Sequence, residues 1–178
     1  LDAAHRRGVI HRDLKPENIF LCGGGAEPLV KILDFGVAKA LGDLQTRRVR
    51  TKIGTVMGTP ADMSPEQASG DIQQLPPRRD IYSLAIILYR MLCSRLPFEG
   101  KSMVAVLAMQ AMEPPTPITH FLPSFPGSLW RFLLRALDKQ PEKRPETAGE
   151  FFRNFQVTRE GLAFHGRGEM QFSSHRDE

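Results

Sequence analysis

Apolar residues recur at helical spacing through the second half of the chain and at shorter, strand-like spacing near its start. Ile81, Leu84, Leu88, Met91 and Leu92 form a stripe whose near-continuous apolar character predicts a helix buried on most sides. Ser102 to Met112 predicts a second helix, closed by the Pro114-Pro115 breaker. Leu129, Phe132, Leu133, Ala136 and Leu137 make a third stripe, and Ala148, Phe151, Phe152 and Phe155 a fourth. Residues 1–7 read as the end of a helix that Gly8 stops. Val9 to Leu14 and Asn18 to Cys22 are short extended segments around a loop. After a turn at Gly23 to Pro28, Leu29 to Leu33 is apolar enough to pair back as a hairpin. Residues 37–60 are rich in Thr, Gly and basic residues and lack periodicity, which predicts a long loop of the kind usually reserved for function. Residues 156–178 are polar and weakly patterned and read as a tail. The pattern is that of a mainly α domain with a small β-hairpin.

Composition narrows the class without naming it. At 178 residues, 41% hydrophobic and 25% charged, the chain is an ordinary globular domain, neither disordered nor collagenous. Its longest apolar run, Leu84 to Leu88, is far short of a bilayer span. Two cysteines, Cys22 and Cys93, suit buried thiols in a reduced, cytoplasmic compartment. The net charge of +4 gathers largely on Arg47, Arg48, Arg50 and Lys52, with no interleaved aromatics, which disfavours nucleic acid as a partner. His5, His120, His165 and His175 do not share metal-ligand spacing. Trp130 and the late phenylalanines are expected in the core. The chain begins at Leu1 with no leader pattern, so it reads as an internal piece of a longer product.

Chemistry enters at the loop before the hairpin. It reads His11-Arg12-Asp13-Leu14-Lys15-Pro16-Glu17-Asn18, and Asp34-Phe35-Gly36 follows the hairpin. This string, with an Asp–Phe–Gly at that distance, resembles the catalytic loop and metal-binding motif of eukaryotic-like Ser/Thr protein kinases. Further matches are Gly58-Thr59-Pro60, Ser64-Pro65-Glu66 in the family's Ala–Pro–Glu place, Asp80 opening the central helix, and Arg144 in Pro141 to Pro145. The form of the loop and the Ser64 to Gln67 variant look most like bacterial members.

The resemblance implies a kinase C-terminal lobe over residues 1–155, with a catalytic loop at 11–18 and an activation segment at 34–66. It implies ATP and Mg²⁺ as cofactors, with Mn²⁺ as a possible substitute, and proteins as substrates. Asp13 is then the base for the acceptor hydroxyl, Lys15 the cation on the γ-phosphate, and Asn18 and Asp34 the metal ligands. Lys15 and Thr59 speak for Ser/Thr over tyrosine. Arg12 before Asp13 implies control by phosphorylation at Thr51 or Thr55, with Thr46 behind them. Asp80 is expected to accept hydrogen bonds from catalytic-loop amides, and Glu66 to pair with Arg144.

Two departures stand out. Asp62 occupies a place that is usually aromatic in the substrate groove, and Ala85 one that is usually glycine. No Gly-rich phosphate loop or strand lysine precedes Leu1, so an N-terminal lobe is expected upstream and the chain alone should transfer phosphate poorly. The rival readings are a non-catalytic kinase remnant that binds proteins and, more distantly, a small-molecule phosphotransferase.

Overall fold

In the computed structural model, residues 1–23, 28–35, 60–69 and 77–163 are described. A one-turn helix, α1 (Asp2–His5), stops at Gly8, whose φ of 72° lies in the left-handed region that glycine adopts without strain. Strands β1 (Ile19–Cys22) and β2 (Leu29–Ile32) then pair antiparallel, Ile19 opposite Ile32 and Cys22 opposite Leu29. Helices follow: α2 (Pro65–Ala68), α3 (Arg78–Cys93), α4 (Met103–Met112), α5 (Gly127–Ala136) and α6 (Ala148–Ala163). The chain is thus mainly helical with one small sheet among the described residues.

The core forms where α3 meets α5 and α6. Ile81, Tyr82, Ala85, Ile86 and Tyr89 of α3 pack with Leu129, Phe132, Leu133, Ala136, Leu137 and Phe151. The α3 stripe is rotated from the one expected. Met91 is 73% exposed, and the inner positions are taken by the two tyrosines. They go inside because their hydroxyls find partners there: Tyr82 donates to Gln110 Oε1 at 2.5 Å and Tyr89 to the Thr116 carbonyl at 2.9 Å. Phe152 likewise points outward, whereas Phe132 packs at a tilt against Phe151 with ring centres 5.0 Å apart. Trp130 meets the Tyr89 ring edge-on at the core margin.

Three other expectations shift. Val9 to Leu14 forms no strand, because the His11 and Arg12 amides are taken by a distant carboxylate instead of a ladder. The last helix continues to Ala163, through the first residues of the expected tail, while 164–178 lie outside the described residues, as do 37–59 of the long loop. Cys22 and Cys93 are both free and only half-buried. The first and last elements are tied by Asp2, whose carboxylate accepts from the Ala148 and Gly149 amides at 2.8 and 2.9 Å. This caps the orphan donors of α6. A Cβ on Gly149 would lie 2.8 Å from that carboxylate, so the close approach favours glycine there. No described helix is long and apolar enough to cross a membrane.

Candidate functional site

Asp80, in the first turn of α3, is almost fully buried beneath the loop that carries the candidate residues. Its Oδ2 accepts from the His11 amide at 2.9 Å and from His5 Nε2 at 2.8 Å, and its Oδ1 from the Arg12 amide at 3.0 Å. Burial would push this carboxyl up, but the His5 hydrogen bond and the two amides outweigh it and hold it below its usual range. The anion therefore stays charged where it anchors the loop. Arg12 takes a φ of 67° and Asp34 a φ of 54°, positive values that non-glycine residues hold only when their surroundings insist.

His11 is fully buried and joins the two halves of the site. Its Nδ1 accepts from the Asp13 amide at 3.3 Å, and its Nε2 lies 2.8 Å from the Leu33 carbonyl. Those partners assign the ring proton to Nε2. The ring also packs on Phe35, centroids 4.9 Å apart. Around this centre, Lys15 Nζ lies 3.3 Å from Asp13 Oδ2, and Asn18 Nδ2 donates to the Asp13 carbonyl at 2.9 Å. The Asn18 carbonyl in turn accepts from the Leu33 amide at 2.9 Å, bringing β2 and the following Asp34 alongside. Asp13, Lys15, Asn18 and Asp34 are thus carried by one hydrogen-bonded unit, although separated by up to 21 positions in sequence.

A second unit holds the chain from Pro60 onward. Glu66 in α2 and Arg144 form a two-pronged pair, Nη1 to Oε1 and Nη2 to Oε2, both at 2.9 Å. Arg144 also donates to the carbonyls of Asp138, Lys139 and Arg78, and its guanidinium lies over the Tyr82 ring. Every donor of a buried cation is accounted for, as burial requires.

Residues 1–154 match the protein kinase domain family. The chain belongs to that family. It is 42% identical over 168 residues to the serine/threonine-protein kinase Pkn1 of Myxococcus xanthus, covering 94% of this chain and 23% of that protein. It is 44% identical over 154 residues to pkn3 of the same organism, covering 85% and 28%. PknB of Mycolicibacterium smegmatis is 39% identical over 163 residues, 92% of this chain and 25% of that protein. The chain therefore spans about a quarter of the length of these relatives.

Within the kinase domain, Thr51, Thr55 and Thr59 lie outside the described residues. Asp62 is half-buried in a one-turn helix, Pro60–Asp62, beside a cavity of about 230 Å³ lined by Glu17, Ala61, Arg90, Arg95 and Glu99. Burial, then the nearby Glu17, push its carboxyl up to about 6, with Arg90 and Lys15 opposing and Asp13 adding a little. Because the folded chain binds this proton more tightly than the unfolded one, stability falls as pH rises from about 3.8 to about 6. Asp62→Asn is expected to raise the melting midpoint by about 2–4 °C above pH 7, and the gain should vanish below pH 4. Melting curves across that range check it.

Four residues of this kinase domain escaped sequence reasoning. The sequence suggests no role for His5 beyond a metal ligand without matching spacing, yet it holds Asp80 from 75 positions away, which no local pattern signals. Asp2 and Gln110 carry no local signal. Gln110 is fully buried, accepts from Tyr82 and donates to the Ala61 carbonyl at 2.8 Å, so it steadies the segment bearing Asp62. Gln67 did have a signal. Ser64-Pro65-Glu66-Gln67 has the Ser–x–x–Gln spacing of a helix cap, and Gln67 Oε1 accepts from the Ser64 amide at 3.0 Å.

Proposed function

We propose that the chain is the C-terminal lobe of a Ser/Thr protein kinase, which moves the γ-phosphoryl group of ATP to Ser or Thr hydroxyls of proteins. The observation that carries this is Asp13 with Lys15 at 3.3 Å, on a loop clamped from below by Asp80. Asp13 orients the acceptor hydroxyl and takes its proton, while Lys15 offers a compact charge to the transferring group. Asn18 and Asp34 would hold Mg²⁺. Asn18 spends its amide N–H on Asp13, which leaves its side-chain oxygen to coordinate, and Asp34 is exposed beside it. Two protein oxygens suit a Mg²⁺ that keeps water and phosphate as its remaining ligands, and no described cluster of three His, Cys, Asp or Glu competes for it. When bound, the ion neutralises phosphate charge; the side chains supply position and the proton acceptor.

The hairpin supports a second lobe outside this stretch. Phe20, Leu21, Leu29 and Val30 are all exposed, Leu21 opposite Val30 on one face of the hairpin and Phe20 and Leu29 on the other, apolar surface at the catalytic end that a nucleotide base and an N-terminal lobe would cover. Control by phosphorylation of Thr51 or Thr55 follows from the same reading, with Arg12 as the partner of the added charge. The test is ³²P transfer from ATP by the full-length protein, followed by phosphoamino-acid analysis and phosphopeptide mapping. Phosphoserine and phosphothreonine without phosphotyrosine, and label at Thr51 or Thr55, are expected. ATP binding without transfer would favour the non-catalytic remnant, and an active protein unlabelled at both threonines would end the regulatory proposal.

A further inference from the structure

Arg12 is the residue immediately before the proposed base, and its backbone is held in the left-handed region at a φ of 67°. A side-chain-bearing residue stays there only when contacts on both sides hold it. Asp80 supplies one side, through the Arg12 amide at 3.0 Å. The other side is Gln67, whose Nε2 donates to the Arg12 carbonyl at 3.2 Å across 55 positions of sequence. That carbonyl belongs to the peptide whose N–H is on Asp13, and this N–H reaches His11 Nδ1 at 3.3 Å. Gln67 therefore sets the plane of the peptide that leads into Asp13.

Gln67 is itself built in. Its Oε1 accepts from the Ser64 amide and hydroxyl at 3.0 and 3.1 Å, which fixes which end of the amide faces Arg12. Its backbone sits next to Glu66, fastened to Arg144. A motion of α2 is thus passed to the Arg12 carbonyl by one hydrogen bond.

We propose that Gln67 is a positioning residue for phosphoryl transfer, coupling the end of the activation segment to the peptide that orients Asp13. This rests on the kinase reading above. Two substitutions separate its donor from its acceptor. Gln67→Glu keeps the oxygen that caps α2 but sets a carboxylate against the Arg12 carbonyl. Gln67→Lys keeps a donor and loses the cap.

The experiment measures kcat and KM of the full-length kinase on the best acceptor from a Ser/Thr peptide library, for wild type, Gln67→Glu, Gln67→Lys, Gln67→Leu and Asp13→Asn. At pH 8, Gln67→Glu and Gln67→Leu should lower kcat about tenfold to a hundredfold with KM within about twofold, the size of a misplaced catalytic group. Gln67→Lys should stay within about threefold of wild type, because a donor is present. A role confined to capping α2 would leave Gln67→Lys, which loses the cap, as impaired in kcat as Gln67→Leu. Wild-type kcat in Gln67→Glu at pH 8, or Gln67→Lys no better than Gln67→Leu, would overturn the inference. If Gln67→Glu does not fold, the Lys and Leu pair still decides. A wild type no more active than Asp13→Asn would overturn the kinase reading and this inference together.

Discussion

Asp13→Asn is expected to lower kcat of the full-length kinase by about 10²- to 10⁴-fold, the range for removing a positioned general base. The substitution changes charge and proton affinity with almost no change of shape. The links that hold the loop run through backbone atoms of Asp13: its carbonyl accepts from Asn18 and its amide donates to His11. Those bonds survive in the variant. What goes is the carboxylate 3.3 Å from Lys15, and with it the acceptor for the hydroxyl proton. ATP affinity and the melting midpoint should therefore remain near wild type while transfer collapses. Single-turnover ³²P transfer at saturating ATP measures this. A variant within tenfold of wild type would mean that Asp13 is not the base.

Breaking the Glu66–Arg144 pair should have the largest effect on stability. The two side chains are 9% and 0% exposed, so removing one partner strands the other without solvent. Loss of one member of such a pair costs about 3–5 kcal/mol. Arg144→Met should lie at or beyond the upper end, because it also orphans the carbonyls of Asp138, Lys139 and Arg78. Glu66→Gln should be milder, since its amide oxygen still accepts one of the two bonds. The pH dependence has a definite sign. Burial raises the Glu66 carboxyl, but the Arg144 hydrogen bond and charge more than offset it, so the group sits below its ordinary 4.5. Its contribution is complete above that pH and is lost as pH falls through the lower folded value. The gap between wild type and Glu66→Gln should accordingly close in acid. Urea unfolding at pH 7 and in steps below pH 4.5 measures both effects. Equal stabilities at pH 7 would show that the pair is dispensable.

The helices were legible because burial on one face leaves a period of about 3.6 in the sequence. The stripe Leu129, Phe132, Leu133, Ala136 and Leu137 is buried as its pattern requires. The rotation of α3 was not legible. Tyr82 and Tyr89 count as ambivalent until their hydroxyls have partners, and those partners, Gln110 and Thr116, are 28 and 27 positions away. The hairpin was legible from its turn and two apolar runs, and its register matches that pairing. The false strand at Val9 to Leu14 shows the converse, since apolar character there reflects packing around a loop whose amides are satisfied by Asp80.

The site divides in the same way. The chemistry proposed for Asp13, Lys15, Asn18 and Asp34 depends on residue type and short spacing, so the sequence alone nominated them. Membership of the kinase domain family was determined by the sequence too, because those strings are local. The family resemblance already pointed to Asp80 beneath the loop, and only the tertiary structure decided that His5 and Gln67 help hold Arg12 and Asp13 in place. Asp80 and Gln67 reach Arg12 across 68 and 55 positions and His5 reaches Asp80 across 75, and a hydrogen bond depends on distance and angle, not on separation along the chain. The catalytic loop is therefore readable as a string, but its geometry is a property of the fold around it.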